Sequence, residues 1–320
     1  MDRTTMRRLN GSPPARRRSA LTRRLTAGCV AALPLLALAH TPTATNSARD
    51  WLQGSADPWV LGPLLVSCAA YALGCRRLLR VSRRGRALLL RRALSFAAGM
   101  AAIAVALCSP LDTLGSALFS AHMIQHEMLM IVAAPLAVLG RPLAVWLWAM
   151  PPPARTVLAS LARARPVQAS WRLATHALGA WLLHAIALWI WHVPRLFDAA
   201  LASPAVHAAQ HASFLGSALL YWRSNFDGAA RPAHSAGAAL SLFTTMVHTA
   251  ALGALITLSP VPWYLPYTET SALFGLSALE DQQLGGLIMW VPAGLVYVAA
   301  ALVLCARWLV RATPSHRRAP

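Results

Sequence analysis

Long apolar runs joined by short, arginine-rich connections constrain the fold of this chain more than any other feature. An α-helix needs about 20 mainly apolar residues to cross a bilayer, and seven runs come close to that length. They cover roughly residues 59–76, 92–110, 120–141, 173–193, 205–222, 236–258 and 284–306. A mean hydropathy of +0.50, with charged residues only 12% of the chain, excludes disorder and a typical soluble domain. The sequence therefore predicts an all-α integral membrane protein, a bundle of about seven transmembrane helices.

The connections between these runs alternate in charge. Every second connection, beginning with 76–92, is basic, and the four in this set hold 8, 5, 2 and 4 arginines. The opposite set holds only two arginines but seven of the acidic residues. Arginine-rich connections remain on the cytoplasmic side of a membrane, so we predict a mature N-terminus outside and a cytoplasmic C-terminus. The net charge of +19 is thus a topology signal, and the lipid bilayer is the predicted partner of the basic residues, with no role for nucleic acid.

The N-terminal segment, residues 1–39, combines eight arginines with an apolar run of about 15 residues. This pattern fits a cleaved signal peptide or a signal anchor, and the sequence leaves both open. It is predicted to precede a single seven-helix membrane domain, residues 40–310, and a cytoplasmic tail, residues 311–320. Trp263 and Tyr264 are predicted in the aromatic belt at the outer membrane surface.

Five histidines lie at the predicted outer ends of three helices. Spacings of four residues place the members of each of two pairs on one face of a helix, and a further histidine ends the fourth run: His122 with His126, His207 with His211, and His192. Histidines inside membrane spans are costly and usually functional. Imidazole nitrogens at one depth predict a transition-metal site.

Three further side chains are candidate ligands. The thioether of Met123 suits Cu(I), which would make the metal copper. Glu127 is the carboxylate inside a predicted span, and it could bind metal, accept a proton or orient an imidazole. Asp281 opens the last span, where it could bind metal, orient a ligand or interact with the helix dipole. After it, Gly285 and Gly286 would permit close helix approach.

Two other functions use the same histidines. Haem needs one axial histidine on each side of its plane, and His126 with His211 could supply them in a membrane redox protein. Alternatively, the histidines pack the helices of a metal-free assembly scaffold. Motifs of nucleotide-binding or hydrolytic enzymes do not occur in the sequence, so we predict that the protein is not an enzyme.

Five segments resemble the multi-spanning CtaG-type cytochrome c oxidase assembly factors, which are unrelated to the single-span copper chaperone of that name. They are AHMIQHEMLMIVAAPLAVLGRP at 121–142, WHVPRLFDAAL at 191–201, HAAQHASFLGSALLYW at 207–222, ALGALITLSP at 251–260 and DQQLGGLIMWVPAGLVY at 281–297. They follow the family order. The resemblance covers most of the chain from the third run onward, and Glu127 stands where many members carry an apolar residue.

The resemblance implies a seven-helix protein of the bacterial inner membrane that helps to assemble a haem–copper oxidase. Its implied task is to deliver or place copper from the periplasmic face, with the five histidines named above as the matching positions. Its implied partners are oxidase subunits and a periplasmic copper donor.

Overall fold

The computed structural model describes residue 54 and residues 57–81, 85–227 and 232–312, and this part of the chain is helical without any strand. The predicted signal or anchor segment, residues 1–39, lies outside the described residues, as does the tail from residue 313 onward. The predicted all-α class is therefore confirmed for the described ranges.

Fourteen α-helices form the described part of the chain. In order, they are α1 (Pro58–Val81), α2 (Arg86–Cys108), α3 (Pro110–Ala117), α4 (Phe119–Glu127), α5 (Ala134–Leu139), α6 (Pro142–Ala149), α7 (Pro152–Ala162), α8 (Arg165–Thr175), α9 (Ala177–Trp191), α10 (Pro194–Ala202), α11 (Pro204–Phe226), α12 (Pro232–Thr257), α13 (Tyr267–Thr270) and α14 (Ala278–Ala312). A π-helical segment, Met128–Ala133, joins α4 to α5, and a 3₁₀ turn, Ser271–Phe274, follows α13.

Five helical segments among the described residues are long and apolar enough to cross a membrane. They are Pro58–Val81, Arg86–Cys108, Phe119–Leu139, Ser235–Thr257 and Ala278–Val310. A sixth is obtained if α8 and α9 form one broken span, with a bend of 71° between them. The chain is thus a multi-pass membrane protein, while the predicted number of seven spans is not confirmed. The fifth predicted span, 205–222, lies in α11, which has 23 residues but buries polar side chains such as Gln210 and Asn225 that lower its apolarity.

The connection around residues 142–172, expected to be a cytoplasmic loop because it is rich in proline and arginine, is mainly helical. It contains α6, α7 and most of α8, and each of these helices has a proline in its first turn. Proline at that position lacks only an N–H that a helix leaves unpaired, and its fixed φ angle favours helix initiation. These prolines therefore begin helices instead of interrupting them. The fourth predicted span, 173–193, contains the break between α8 and α9, and α9 begins at Ala177.

The third span contains a widened π-helical segment that the sequence analysis did not predict. Pro135 lies just after it and lacks an N–H, and in a regular helix its ring would clash with the carbonyl of residue 131. The π geometry of Met128–Ala133 relieves that clash. The indole Nε1 of Trp222 donates to the Met130 carbonyl at 2.8 Å, which satisfies a carbonyl within this segment.

Helices α12 and α14 pack along each other through glycine, as the sequence analysis expected for Gly286. A Cβ atom on Gly253 would lie 2.8 Å from the carbonyl oxygen of Gly286, and one on Gly286 would lie 2.7 Å from the carbonyl oxygen of Gly253. The two backbones therefore approach closely at this point, and only hydrogen fits at both positions.

We predict that Gly253→Ala destabilises the protein by about 1–3 kcal/mol, because its methyl group would overpack the contact with Gly286. Gly216→Ala on α11 is the matched control, since a Cβ there meets nothing within 4 Å. The control should leave stability unchanged or raise it by up to about 1 kcal/mol, through its better helix propensity. Denaturation of the two variants in the same detergent compares them. Equal stabilities would contradict the close helix contact.

Candidate metal centre

Three imidazoles from two helices meet at one end of the bundle. His122 of α4 and His207 and His211 of α11 each offer a ligand atom, and these atoms all lie within 4.8 Å of one another. The ring centres of His122 and His207 are 5.2 Å apart, and those of His207 and His211 are 4.2 Å apart. Among the histidine, cysteine, aspartate and glutamate side chains of the described residues, these three form the group close enough to hold a metal ion. We refer to these three residues as the outer triad.

The Nε2 atoms of the outer triad are available for metal binding. His122 Nδ1 lies 3.1 Å from the carbonyl oxygen of Gly115. Because a carbonyl can only accept a hydrogen bond, Nδ1 carries the proton and Nε2 keeps its lone pair. The Nε2 atoms of all three imidazoles are buried without a hydrogen-bond partner. A ring that donates through one nitrogen while the other faces a shared space has the usual arrangement of a metal-binding histidine.

Two further imidazoles adjoin the outer triad. His126 lies one helical turn beyond His122, with its ring centre 4.2 Å from that of His122 and 5.3 Å from that of His211. Its two ring nitrogens are buried without hydrogen-bond partners. His192, at the end of α9, lies 6.5 Å from His126 between ring centres and contacts the Leu188 carbonyl through Nδ1 at 2.6 Å. All five predicted histidines are thus brought together.

The other predicted ligands of α4 lie away from these imidazoles. Neighbouring residues in a helix point about 100° apart, so Met123 and Glu127 diverge from the histidines that precede them. Met123 is fully buried in an apolar cluster with Phe119 and Met289. Glu127 is also buried, and it acts electrostatically on Tyr297 of α14. Neither residue belongs to the outer triad.

Asp281 stabilises the start of the helix that carries His122 and His126. Its carboxylate is fully buried and accepts hydrogen bonds from the backbone N–H groups of Phe119 and Ser120, at 2.6 and 3.0 Å, and from the Ser120 hydroxyl. These donors are the unpaired groups of a helix N-terminus, which attract negative charge. Asp281 lies in the first turn of its own helix, α14, as predicted, and it also meets the N-terminus of α4.

Two tyrosines that the sequence analysis did not assign to the site fix the backbone around it. The Tyr267 hydroxyl donates at 2.9 Å to the Gly115 carbonyl, the same acceptor that His122 uses. The Tyr264 hydroxyl donates at 3.0 Å to the carbonyl of His192. The prediction that Tyr264 lies in the aromatic belt was wrong, since its side chain is 2% exposed. The sequence does not distinguish a tyrosine of the aromatic belt from a buried tyrosine that donates a hydrogen bond to the backbone.

Polar side chains at the outer rim complete the surroundings of the site. Asp112 accepts a hydrogen bond from Gln125 Nε2 at 2.7 Å and acts electrostatically on His207. Gln210, between His207 and His211 in the sequence, is fully buried with both amide atoms unpaired. In the sequence, Gln125 and Gln210 each stand between the two histidines of a pair, and this position could have identified them as site residues.

Comparisons with known proteins identify relatives of the chain. A family model described as cytochrome c oxidase caa3 assembly factor matches residues 69–311. The uncharacterized proteins Mb0105 of Mycobacterium bovis and MT0111 of Mycobacterium tuberculosis are each 28% identical over 254 residues, which is 76% of this chain. The match covers 37% of the length of these two relatives. No solved structure matches the chain.

We predict that Asp281→Ala lowers the free energy of unfolding of the metal-free protein by about 2–4 kcal/mol, because it leaves buried N–H groups at the start of α4 unpaired. Glu269→Ala, which removes an exposed carboxylate on the same connection, should change stability by less than about 0.5 kcal/mol. Denaturant titrations in detergent after chelation measure both variants. A residue that acts only as a metal ligand would give no loss under these conditions.

Proposed function

The chain belongs to the cytochrome c oxidase caa3 assembly factor family, and from this premise we propose that it binds copper at the periplasmic face of the bacterial inner membrane. The copper is cargo, held for delivery to a haem–copper oxidase or for its maturation. The observation that carries the proposal is the outer triad, in which three imidazoles with buried, unpaired Nε2 atoms have ligand atoms within 4.8 Å of one another.

The ligand chemistry favours copper among the metals of a cell. Imidazole suits both oxidation states of copper, and Cu²⁺ stands at the top of the affinity order for divalent first-row metals. Unpaired buried nitrogens are costly in an apolar bundle, and a bound ion would remove that cost for all three at once. Asp112, which acts on His207, would help to balance the charge of the ion.

A seven-span topology accompanies this proposal. The 23 residues of α11 extend about 35 Å, enough to cross a bilayer of about 30 Å. Its polar side chains, including Gln210 and Ser217, are buried away from lipid. With α8 and α9 as one broken span, the total becomes seven, with the mature N-terminus periplasmic and the C-terminus cytoplasmic. The segment 1–39 would be the signal peptide or signal anchor.

In this orientation, the acidic outer connections would attract cations to the site. A periplasmic copper donor would supply the ion, and oxidase subunits would receive it. Ligand exchange between imidazoles transfers an ion without breaking a covalent bond, so the proposed role requires no enzymatic turnover. The membership of an assembly factor family supports such a non-catalytic role.

The geometry gives less support to haem binding. His126 and His211, the pair considered for axial ligation, have ring centres 5.3 Å apart at an interplanar angle of 82°. Axial bonds of about 2 Å on both sides of an iron would place the two ring centres farther apart than this.

The first experiment is elemental analysis and an absorption spectrum of detergent-purified protein from copper-supplied cells. We expect bound copper and no Soret band. His207→Ala should lower the copper content by removing one arm of the outer triad, whereas His248→Ala on α12, outside the triad, should leave it unchanged.

A haem spectrum would replace the proposal with a redox function. Absence of both metal and haem would favour the metal-free scaffold, in which the histidines serve only to pack helices.

A further inference from the structure

We propose that His126 and His192 form a second copper position, next to the outer triad and selective for the monovalent ion. We refer to these two residues as the inner pair. This inference rests on the proposed function, because the ion would reach the inner pair from the outer triad. It adds a site and a selectivity that the outer triad alone does not supply.

The inner pair has the spacing of two ligands on opposite sides of one ion. A metal–nitrogen bond of about 2.0 Å on each side places the centres of two facing imidazole rings roughly 6 Å apart. The ring centres of His126 and His192 are 6.5 Å apart. Small adjustments of two side chains would therefore let one ion bind both rings, without a backbone movement.

The nitrogens of the inner pair are buried and unpaired. His126 is 1% exposed and has no hydrogen-bond partner at either ring nitrogen. His192 is 3% exposed, with Nδ1 bound to the Leu188 carbonyl and Nε2 unpaired. As at His122, the carbonyl contact keeps the proton on Nδ1 and leaves the Nε2 lone pair for an ion. Buried polar atoms normally have partners, so these three unpaired nitrogens indicate an occupant.

The surroundings of the inner pair favour a single positive charge. Phe214 packs against both rings, at 4.6 Å from His126 and 6.1 Å from His192 between ring centres. Other imidazoles also adjoin His126, with the ring centre of His122 at 4.2 Å and that of His211 at 5.3 Å. The cost of burying an ion rises with the square of its charge, so a divalent ion would pay about four times the penalty of Cu(I). The outer triad differs, because Asp112 acts on His207.

The neighbouring rings provide a route between the two positions. His211 lies 5.3 Å from His126 between ring centres, and His122 lies 4.2 Å from it. An ion could bind His126 while still held by the outer triad, and then exchange its remaining outer ligands for His192. Only ligands change in this step, and the oxidation state and the total charge are conserved.

Variants that disable the outer triad test the inner pair directly. The triple variant His122→Ala/His207→Ala/His211→Ala, which lacks the whole outer triad, should bind about one Cu(I) per chain in an anaerobic titration but no Zn(II), whereas the unmodified protein should bind Zn(II). Adding His192→Ala, or His192→Gln as the milder change, should abolish the remaining Cu(I) binding. The matched control adds His184→Ala, since His184 is another buried histidine of α9 but contacts Ser217 at 3.1 Å.

X-ray absorption of the Cu(I)-loaded triple variant should show two nitrogen ligands. Thermal unfolding and elution volume verify that each variant is folded. The inner pair is overturned if the folded triple variant loses all Cu(I) binding while the unmodified protein retains it, or if adding His192→Gln has no effect. If the unmodified protein also binds no metal, the proposed function fails as well. Loss of Cu(I) binding in the variant alone contradicts only the inner pair.

Discussion

Backbone groups at a helix end must find hydrogen-bond partners even where the surroundings are apolar, and the arrangement of this bundle depends on how that is achieved. Lipid offers no donors or acceptors, so helices that end inside the bundle need side chains from other helices. Asp281 of α14 supplies the acceptors for the first N–H groups of α4. At another helix end, Arg77 of α1 donates to the carbonyls of Trp148, Ala149 and Met150 after α6. Charged side chains thus supply the hydrogen bonds that the backbone groups at these helix ends lack within their own helix.

The position of the candidate metal centre follows from this constraint. Asp281 fixes where α4 begins, and that start determines the height and rotation of His122 and His126. The other side of the site is fixed through carbonyl groups, because Tyr267 and His122 share the oxygen of Gly115 and Tyr264 binds that of His192. The rings of His122 and His192 are therefore held through Nδ1, by contacts that do not use the Nε2 atoms. This division leaves those atoms unpaired in the absence of an ion, a cost that metal binding would remove.

Two copper positions with different ligands and surroundings would let the protein discriminate between copper and other metal ions. The outer triad has three ligands and the influence of a carboxylate, whereas the inner pair has two ligands and an aromatic wall. Affinity order alone does not separate copper from other metals in a cell, and geometry and ligand environment must do so. A step that only a monovalent ion can complete would exclude zinc, although zinc could occupy the outer triad. The difference between the two positions arises from burial and charge, with imidazole as the shared ligand.

The sequence by itself determined the helical class and most of the apolar segments long enough to cross a membrane, because each depends on periodicity, length or composition along one stretch of chain. It was also sufficient for the glycine contact of Gly286, since small residues permit close packing wherever a helix meets another. Only the tertiary structure decided which side chains meet. It joined His122 to His207 and His211, turned Met123 and Glu127 away, and assigned Asp281 to the start of α4. It also showed that the prolines of residues 142–172 begin helices. Such choices depend on the rotation and pairing of helices distant in sequence, and no local pattern records them.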